Sequence, residues 1–277
     1  MQDESKTEDR RPKTEGARAT LDDALAIMRD LRARDAWDRA QTHDSLRPYL
    51  GEEMHELDDA IRSGDDAAMR SELGDVLLQV LFHAIIAEER GEFDVQDVAG
   101  SLVAKMTKRH PWLYGDAQAR EPWEQMKSKT RRSLADGLPQ GLPSLHRGLR
   151  LQERAAGVGF DWPDVKGPIA KVREELVEVE TEIAEHGAEF DTHGVPSADP
   201  RHARLEAELG DLLFSVVNLC RKAGVHPSLA LDKANGKFQA RFEAVERLAA
   251  ERGIDVKTAG LAVLDSLWDE VKEATQD

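Results

Sequence analysis

Residues 72–83 read Glu-Leu-Gly-Asp-Val-Leu-Leu-Gln-Val-Leu-Phe-His, and residues 208–219 read Glu-Leu-Gly-Asp-Leu-Leu-Phe-Ser-Val-Val-Asn-Leu. Each stretch opens on two acids one helical turn apart and continues as an apolar run. A second acidic pattern lies upstream of each. Glu52-Glu53-x-x-Glu56 precedes the first with fifteen residues between, and Glu174-Glu175-x-x-Glu178 precedes the second with twenty-nine between. Residues three or four apart share a helix face, so each copy offers two helices that each project a pair of acids. Four carboxylates converging on one pocket make the oxygen-ligand set that Mg²⁺ or Mn²⁺ takes.

The repeat predicts the organisation. Apolar spacing is helical where it is regular, as at Leu21, Leu25, Met28 and Leu31, and no segment sustains period-two alternation. The fold class is therefore all-α. Lys105-x-x-x-Arg109 and Lys237-x-x-x-Arg241 extend the repeat, placing two acidic helices and a basic pair in each of two small bundles. The expected division is a disordered polar tail at 1–19, a first helical domain at 20–116, a connector at 117–143 and a second domain at 144–277. The connector holds a short helical stretch from Trp123 to Leu134 and then a Gly/Pro-dense run. Asp35 to His43 reads as a loop, Asp44 or Ser45 as a helix cap, His186 to His202 as a Gly/Pro loop, and Val256 to Glu273 as the closing helix.

Charge narrows the partners. The 277 residues include 54 acids and 38 Lys or Arg, a net charge of −16. Duplex nucleic acid is disfavoured, because phosphate backbones need concentrated basic side chains. A nucleotide is compatible, since a metal and a few cations can hold it. The one cysteine, Cys220, excludes an internal disulfide and fits a reducing cytosol. The polar N-terminus is no signal peptide, and no run approaches the ~18–20 apolar residues of a membrane span. The expectation is a cytoplasmic protein with no membrane contact.

In so acidic a chain, an isolated Glu-x-x-Glu is ordinarily a solvated helix face. Two features set these copies apart. The runs after Asp75 and Asp211 are apolar nearly all round, which predicts burial on most sides. Their polar residues fall in one stripe: Glu72, Asp75, Gln79 and His83 in the first, and Glu208, Asp211, Ser215 and Asn218 in the second. Buried polar groups need partners, so the stripe implies a wet or occupied pocket. Two carboxylates about 5 Å apart repel by roughly 3 kcal/mol at an effective dielectric near 20. Six such pairs approach, on the order of 10 kcal/mol, the stability of a whole domain. A divalent cation removes that repulsion.

Ligand chemistry points to a hard ion. Zinc favours Cys or His, and di-iron bundles carry Glu-x-x-His on two helices; that spacing occurs here once, at Glu52–His55, with no second copy. His186, His193 and His202 read as solvated loop residues. Lys171 lies one turn before Glu174 and Glu175, and Arg204 one turn before Glu208. With Lys237 and Arg241 they read either as phosphate-binding cations or as ordinary helix salt-bridge partners. Trp268 reads either as core packing or as a stacking ring. Gly-x-x-x-x-Gly-Lys is absent, which excludes a P-loop enzyme.

Both halves resemble the MazG family of nucleoside triphosphate pyrophosphohydrolases in its tandem, two-domain form. In the first half the resemblance rests on Trp37-Asp-Arg-Ala-Gln-Thr-His-Asp-Ser-Leu-Arg-Pro-Tyr-Leu50, on residues 72–83 and on Lys108-Arg-His-Pro111. In the second it rests on Val158-Gly-Phe-Asp-Trp162, the two acid motifs and Asn235-Gly-Lys-Phe-Gln-Ala-Arg-Phe242. It departs at Asp35-Ala36, where Cys-Pro is common, and at Gly51, where an apolar residue is common. The resemblance implies two tandem MazG-like helical bundles. It also implies Mg²⁺-dependent hydrolysis of NTP or dNTP to the monophosphate and pyrophosphate, in nucleotide-pool sanitation or alarmone control. By position it implies Glu175, Glu178, Glu208 and Asp211 as metal ligands, and Lys171, Glu174, Arg204, Lys237, Arg241 and Trp268 as nucleotide contacts. Glu174, beside the ligand Glu175, is the candidate general base. The first-half metal counterparts are Glu53, Glu56, Glu72 and Asp75, with Lys105 and Arg109 as the basic pair. A homo-oligomer, a dimer by resemblance, is also implied. The rival readings are a narrower relative acting on dUTP or phosphoribosyl-ATP, a non-catalytic scaffold binding a nucleotide or a partner protein, and a carboxylate-bridged redox bundle.

Overall fold

The computed structural model describes residues 18–115, 131–186 and 200–274. The polar tail before residue 18, the expected helical stretch from Trp123 to residue 130, and the loop at 187–199 with His193 lie outside the described residues. The described residues form eleven α-helices and no strand. They belong to two compact units that divide between Arg120 and Glu121.

The first unit begins with α1 (Leu21–Arg34), opened by a reciprocal cap between Thr20 and Asp23. Next come α2 (Ala36–Ala40), α3 (Arg47–Ser63), α4 (Asp66–Glu89), α5 (Val95–Arg109) and α6 (Pro111–Tyr114). Two of these differ from expectation. Helix α2 lies in the expected loop, because the Asp35 carboxylate accepts from the backbone N–H groups of Trp37 and Asp38 and caps a short turn of helix. Helix α3 starts after Leu46 and not at Asp44 or Ser45. The Ser45 hydroxyl instead donates to Gln41 Oε1 at 2.7 Å, and Pro48 fixes the first turn. Gly64 ends α3 with φ +70°, and Asp65 caps α4. So short a turn makes α3 and α4 antiparallel neighbours.

Helix α1 packs against α4 through Leu25, Met28, Leu81, Phe82, Ile85 and Ile86, with Leu46 closing the cluster. Buried Arg32 ties this corner together. Its guanidinium donates to Gln41 O at 2.8 Å, to Asp38 O and to both Glu89 oxygens, and it lies 5.8 Å from the Phe82 ring centre.

The second unit holds α7 (Ser144–Ala156), α8 (Lys166–His186), α9 (Pro200–Lys222), α10 (Pro227–Glu251) and α11 (Leu261–Ala274). Helix α8 packs along α9, α7 lies against α9 and α10, and α10 pairs with α11 over Val245, Ala249, Leu267 and Val271. The described end of the expected connector is bound to α7, where the Arg154 guanidinium donates to Leu134 O at 2.6 Å and Asp136 O at 2.9 Å. The Trp162 ring covers the start of α8 so closely that a side chain at Gly167 would collide with it. Helix α11 starts at Leu261, later than the expected Val256. The Asp255 carboxylate accepts from the Lys257 N–H and the Thr258 hydroxyl, holding a turn there, while Val256 packs onto the α10–α11 core.

The acidic helices are less covered than their sequence implies. Within α4 burial begins only at Gln79, and Leu73 is 51% exposed; in α9, Leu213 is 59% exposed.

Asp161 anchors the turn before α8 to the end of α9. Its carboxylate accepts from Arg221 and from Lys222 at 3.2 Å. The hydrogen bond from Arg221 is the chief reason its pKa falls from 3.8 to about 2. A depressed carboxyl pKa contributes stability above the ordinary value, and that contribution is lost as pH falls through the folded value. Asp161→Asn is expected to cost about 1 kcal/mol at pH 7. In denaturant titrations the difference from the parent should shrink as pH falls below 3.8 and vanish only below the folded value of about 2.

Candidate metal centre

Helix α3 presents Glu53 and Glu56, and α4 presents Glu72 across from them. One carboxylate oxygen from each lies within 4.8 Å of the others. Helices α8 and α9 repeat the arrangement with Glu175, Glu178 and Glu208. In both trios the i, i+3 spacing sets two acids on one helix face, and the neighbouring helix supplies the third. The donors are all carboxylate oxygens, which fit a hard divalent cation. Neither Asp75 nor Asp211, the fourth acid expected in each set, belongs to its trio. The charge of Asp75 nevertheless acts on Glu53 and Glu72, whereas Asp211 is exposed.

Crowding shows in the proton affinities. Glu53 is raised above the ordinary 4.5, first by desolvation and then by the charges of Asp75, Glu56 and Glu72; a hydrogen bond from Gln79 works against the rise. Glu72 is raised by desolvation, Glu56 and Asp75. Glu178 is raised chiefly by a hydrogen bond shared with Glu175, then by desolvation and by the charges of Glu175 and Glu208, with Lys171 opposing. Burial is uneven: Glu175 is 3% exposed, whereas Glu56 and Glu178 face solvent. Water therefore screens part of the repulsion, which is smaller than the estimate for four interior acids.

The expected cations divide. Lys171 reaches the second trio, with Nζ 2.5 Å from Glu175 Oε1 and 2.9 Å from Glu174 Oε1. These bonds, Glu175 first, raise its pKa. Glu174 itself is exposed. Arg204 braces α9 to α8, its Nε 3.1 Å from Glu182 and its Nη2 3.7 Å from Glu185. Lys237 and Arg241 stand on α10 and form no ion pair with a described residue. Trp268 is half-buried against the α10–α11 core, its ring centre 5.3 Å from that of Phe238. No hydrogen bond or ion pair among the described residues joins Lys237, Arg241 or Trp268 to the second trio. In the first unit, Lys105 is exposed on α5 and Arg109 is half-buried.

Two first-unit features were not anticipated. Gln79 belongs to the expected polar stripe, but its hydrogen bond to Glu53 was not foreseen. His83 lies in the same stripe, and its ring stacks on that of His43 with the two Nδ1 atoms 2.8 Å apart. Burial, and then His43, lowers the His83 pKa and favours neutral imidazole. The partners are forty residues apart and His43 sits in a turn, so no periodicity pointed to it.

A family model described as MazG nucleotide pyrophosphohydrolase domain matches residues 41–114. The chain is 41% identical over 260 residues to a Thermotoga maritima protein named nucleoside triphosphate pyrophosphohydrolase/pyrophosphatase MazG, covering 91% of this chain and 95% of that one. It is 38% identical over 271 residues to the nucleoside triphosphate pyrophosphohydrolase of Escherichia coli K12, covering 93% and 98%. A Mycobacterium tuberculosis protein of the same name is 45% identical over 149 residues, covering 50% of this chain and 46% of that one.

A carboxyl with a raised folded pKa destabilises the folded chain once it ionises, so metal-free stability should fall as pH rises above 4.5 through the raised values of Glu53, Glu72 and Glu178. Added MgCl2 should restore it, raising Tm at pH 8 and having little effect near pH 4.5. Glu53→Gln and Glu72→Gln should each raise the metal-free Tm at pH 8 and reduce the gain from MgCl2, read by thermal melts.

Proposed function

The chain belongs to the MazG family, and from that premise we propose that it hydrolyses nucleoside triphosphates to the monophosphate and pyrophosphate at the Glu175–Glu178–Glu208 trio. The observation that carries this reading is the convergence of three carboxylates from α8 and α9, with Lys171 on the buried one. The all-oxygen donor set favours Mg²⁺, with Mn²⁺ as an alternative. When bound, Mg²⁺ would acidify a water and neutralise charge on the departing pyrophosphate. Glu174, held beside Glu175 by Lys171, takes the proton of the attacking water at its carboxylate. The water oxygen forms a bond to the α-phosphorus, the bridging P–O bond to the β-phosphate breaks, and its electron pair leaves with pyrophosphate. Lys171, Arg204, Lys237 and Arg241 hold phosphate oxygens, and Trp268 stacks on the base. Asp211, one turn after Glu208, completes the ligand set from outside the trio.

In the first unit Glu53, Glu56, Glu72 and Asp75 form a second cation site. The proposed domains span 20–116 and 144–277. The proposed setting is the cytoplasm, in nucleotide-pool sanitation or alarmone control. No described helix is long and apolar enough to cross a membrane. The proposed assembly is a homodimer. Leu209, Leu213 and Val216 leave an apolar face exposed on α9, and a second copy offers the same face to a two-fold contact.

Pyrophosphate release from the eight common NTPs and dNTPs tests the reading. Glu175→Gln should lower kcat/KM by about 100-fold or more, and Glu53→Gln by far less. Glu174→Gln should lower kcat by about 100-fold with KM little changed; an unaltered kcat would remove it as the base. Leu213→Glu should convert a dimer to monomer in sedimentation.

A further inference from the structure

The turn between α2 and α3 is bonded largely to itself. The Thr42 N–H donates to Ser45 Oγ at 2.8 Å, the Ser45 N–H to Thr42 Oγ1 at 3.1 Å, and the Ser45 hydroxyl to Gln41 Oε1. Arg32 of α1 takes the Gln41 carbonyl oxygen. Leu46 and His43 carry the turn to α4. Leu46 is 1% exposed in the α1–α4 core, and His43 Nδ1 lies 2.8 Å from His83 Nδ1. Helix α3 starts directly after this turn with no side-chain cap of its own. Its Tyr49, four residues before Glu53, is exposed and meets Trp37 of α2 edge-on at 6.0 Å; Lys171 holds the matching place before Glu175. The seating of α3, and with it of Glu53 and Glu56, therefore depends on the turn.

The His43–His83 contact holds one proton. With the Nδ1 atoms 2.8 Å apart and the ring planes within 14°, it is an N–H···N hydrogen bond. One imidazole of the neutral pair carries its proton on Nδ1 and the other on Nε2. A second proton would set two N–H donors and a charge against each other. A metal ion does not fit the same gap, because ligand nitrogens about 2.0–2.1 Å from a tetrahedral zinc lie about 3.3 Å apart. Both rings are half-buried, so a solvent proton can reach them. Burial, then His43, holds the His83 pKa below 6.5. The charged groups on the elements around it are engaged elsewhere: Arg29 and Arg32 of α1 with Glu88 and Glu89, Asp44 of the turn with Arg47, and Glu53 of α3 with Gln79. Lys105 of α5 is exposed. Desolvation and His43 are what move the proton affinity of His83.

We propose that the His43–His83 pair is a proton-operated latch, which with one proton fastens the turn before α3 onto α4 and with a second opens and frees the start of α3. The second proton comes from solvent and occupies the Nδ1 that accepted the bond. The second unit carries Leu219 at the place of His83, and leucine takes up no proton. A histidine with a lowered folded pKa contributes stability above the ordinary 6.5, and that contribution is lost as pH falls through the folded value. The acids respond in the opposite sense. Protonation of Glu53 and Glu72, whose folded pKa values are raised, favours the folded chain as pH falls. Loosening of this region on acidification therefore reports imidazoles and not carboxylates, and the latch needs no cation at the trio.

The test is hydrogen exchange on the full metal-free chain, read peptide by peptide at pH 8 and pH 5 and corrected for intrinsic exchange rates. Residues 42–50 are expected to lose most of their protection at pH 5, while the α10–α11 core around Val245 and Leu267 keeps its own. In His83→Leu, which copies the second unit, and in His43→Leu, the difference between the two pH values should vanish at 42–50. Nitrogen-15 spectra of the imidazoles in the unsubstituted chain give a readout that depends on no variant's folding. At pH 8 they should show one ring of the pair protonated at Nδ1 and the other at Nε2, and the loss of protection should set in as pH falls below 6.5. Equal protection of 42–50 at the two pH values overturns the latch. So does a pH-dependent loss that persists in both variants, or a pair in which neither Nδ1 carries a proton at pH 8.

Discussion

Between α3 and α4, and again between α8 and α9, carboxylates stand close enough to raise one another's proton affinity. That crowding governs each unit. The acids require two antiparallel helices in fixed register, because a shift of one residue on either helix would swing its carboxylate about 100° away from the trio. In the first unit, register is set by the Gly64–Asp65 turn and by the α1–α4 core beneath it. In the second it is set from outside the acids, by Arg204 on Glu182 and by Arg221 and Lys222 on Asp161. These pairs join segments far apart in sequence while leaving the trio's oxygens to face one another.

The two units meet the same charge problem differently. In the second, an ammonium on the same helix face approaches the buried acid, so Lys171 partly neutralises Glu175. In the first, an aromatic ring takes that position, and the neutral amide of Gln79 touches Glu53. The ammonium of Lys171 is a point charge, which attracts an oxygen from any direction. An amide, two imidazoles and two rings discriminate by shape and by donor pattern. Tandem copies of one motif thus differ in what stands beside their acids, a charge in one and neutral polar and aromatic groups in the other.

Much of this was legible in the sequence where a local rule decides it. Helical period follows from neighbouring residues alone, and so does the grouping of Glu53 with Glu56 and of Glu175 with Glu178. What failed depended on competition among nearby side chains. Ser45 bonds Gln41 instead of capping α3, and Asp255 holds a turn that delays α11. The runs after Asp75 and Asp211 looked enclosed because hydrophobicity reports a preference for burial without saying which surface provides it. The His43–His83 contact depends on tertiary placement of a turn, which no spacing rule encodes.

Arg154 has a practical meaning for dissecting the chain. Its guanidinium is almost wholly buried and is served by the carbonyl oxygens of Leu134 and Asp136, ahead of the first residue of α7. A fragment cut at Ser144 would strip those acceptors from a buried charge and forfeit part of its own fold. A recombinant second half should therefore begin upstream of Leu134, so that the segment that looks like a hinge in sequence travels with it as a splint.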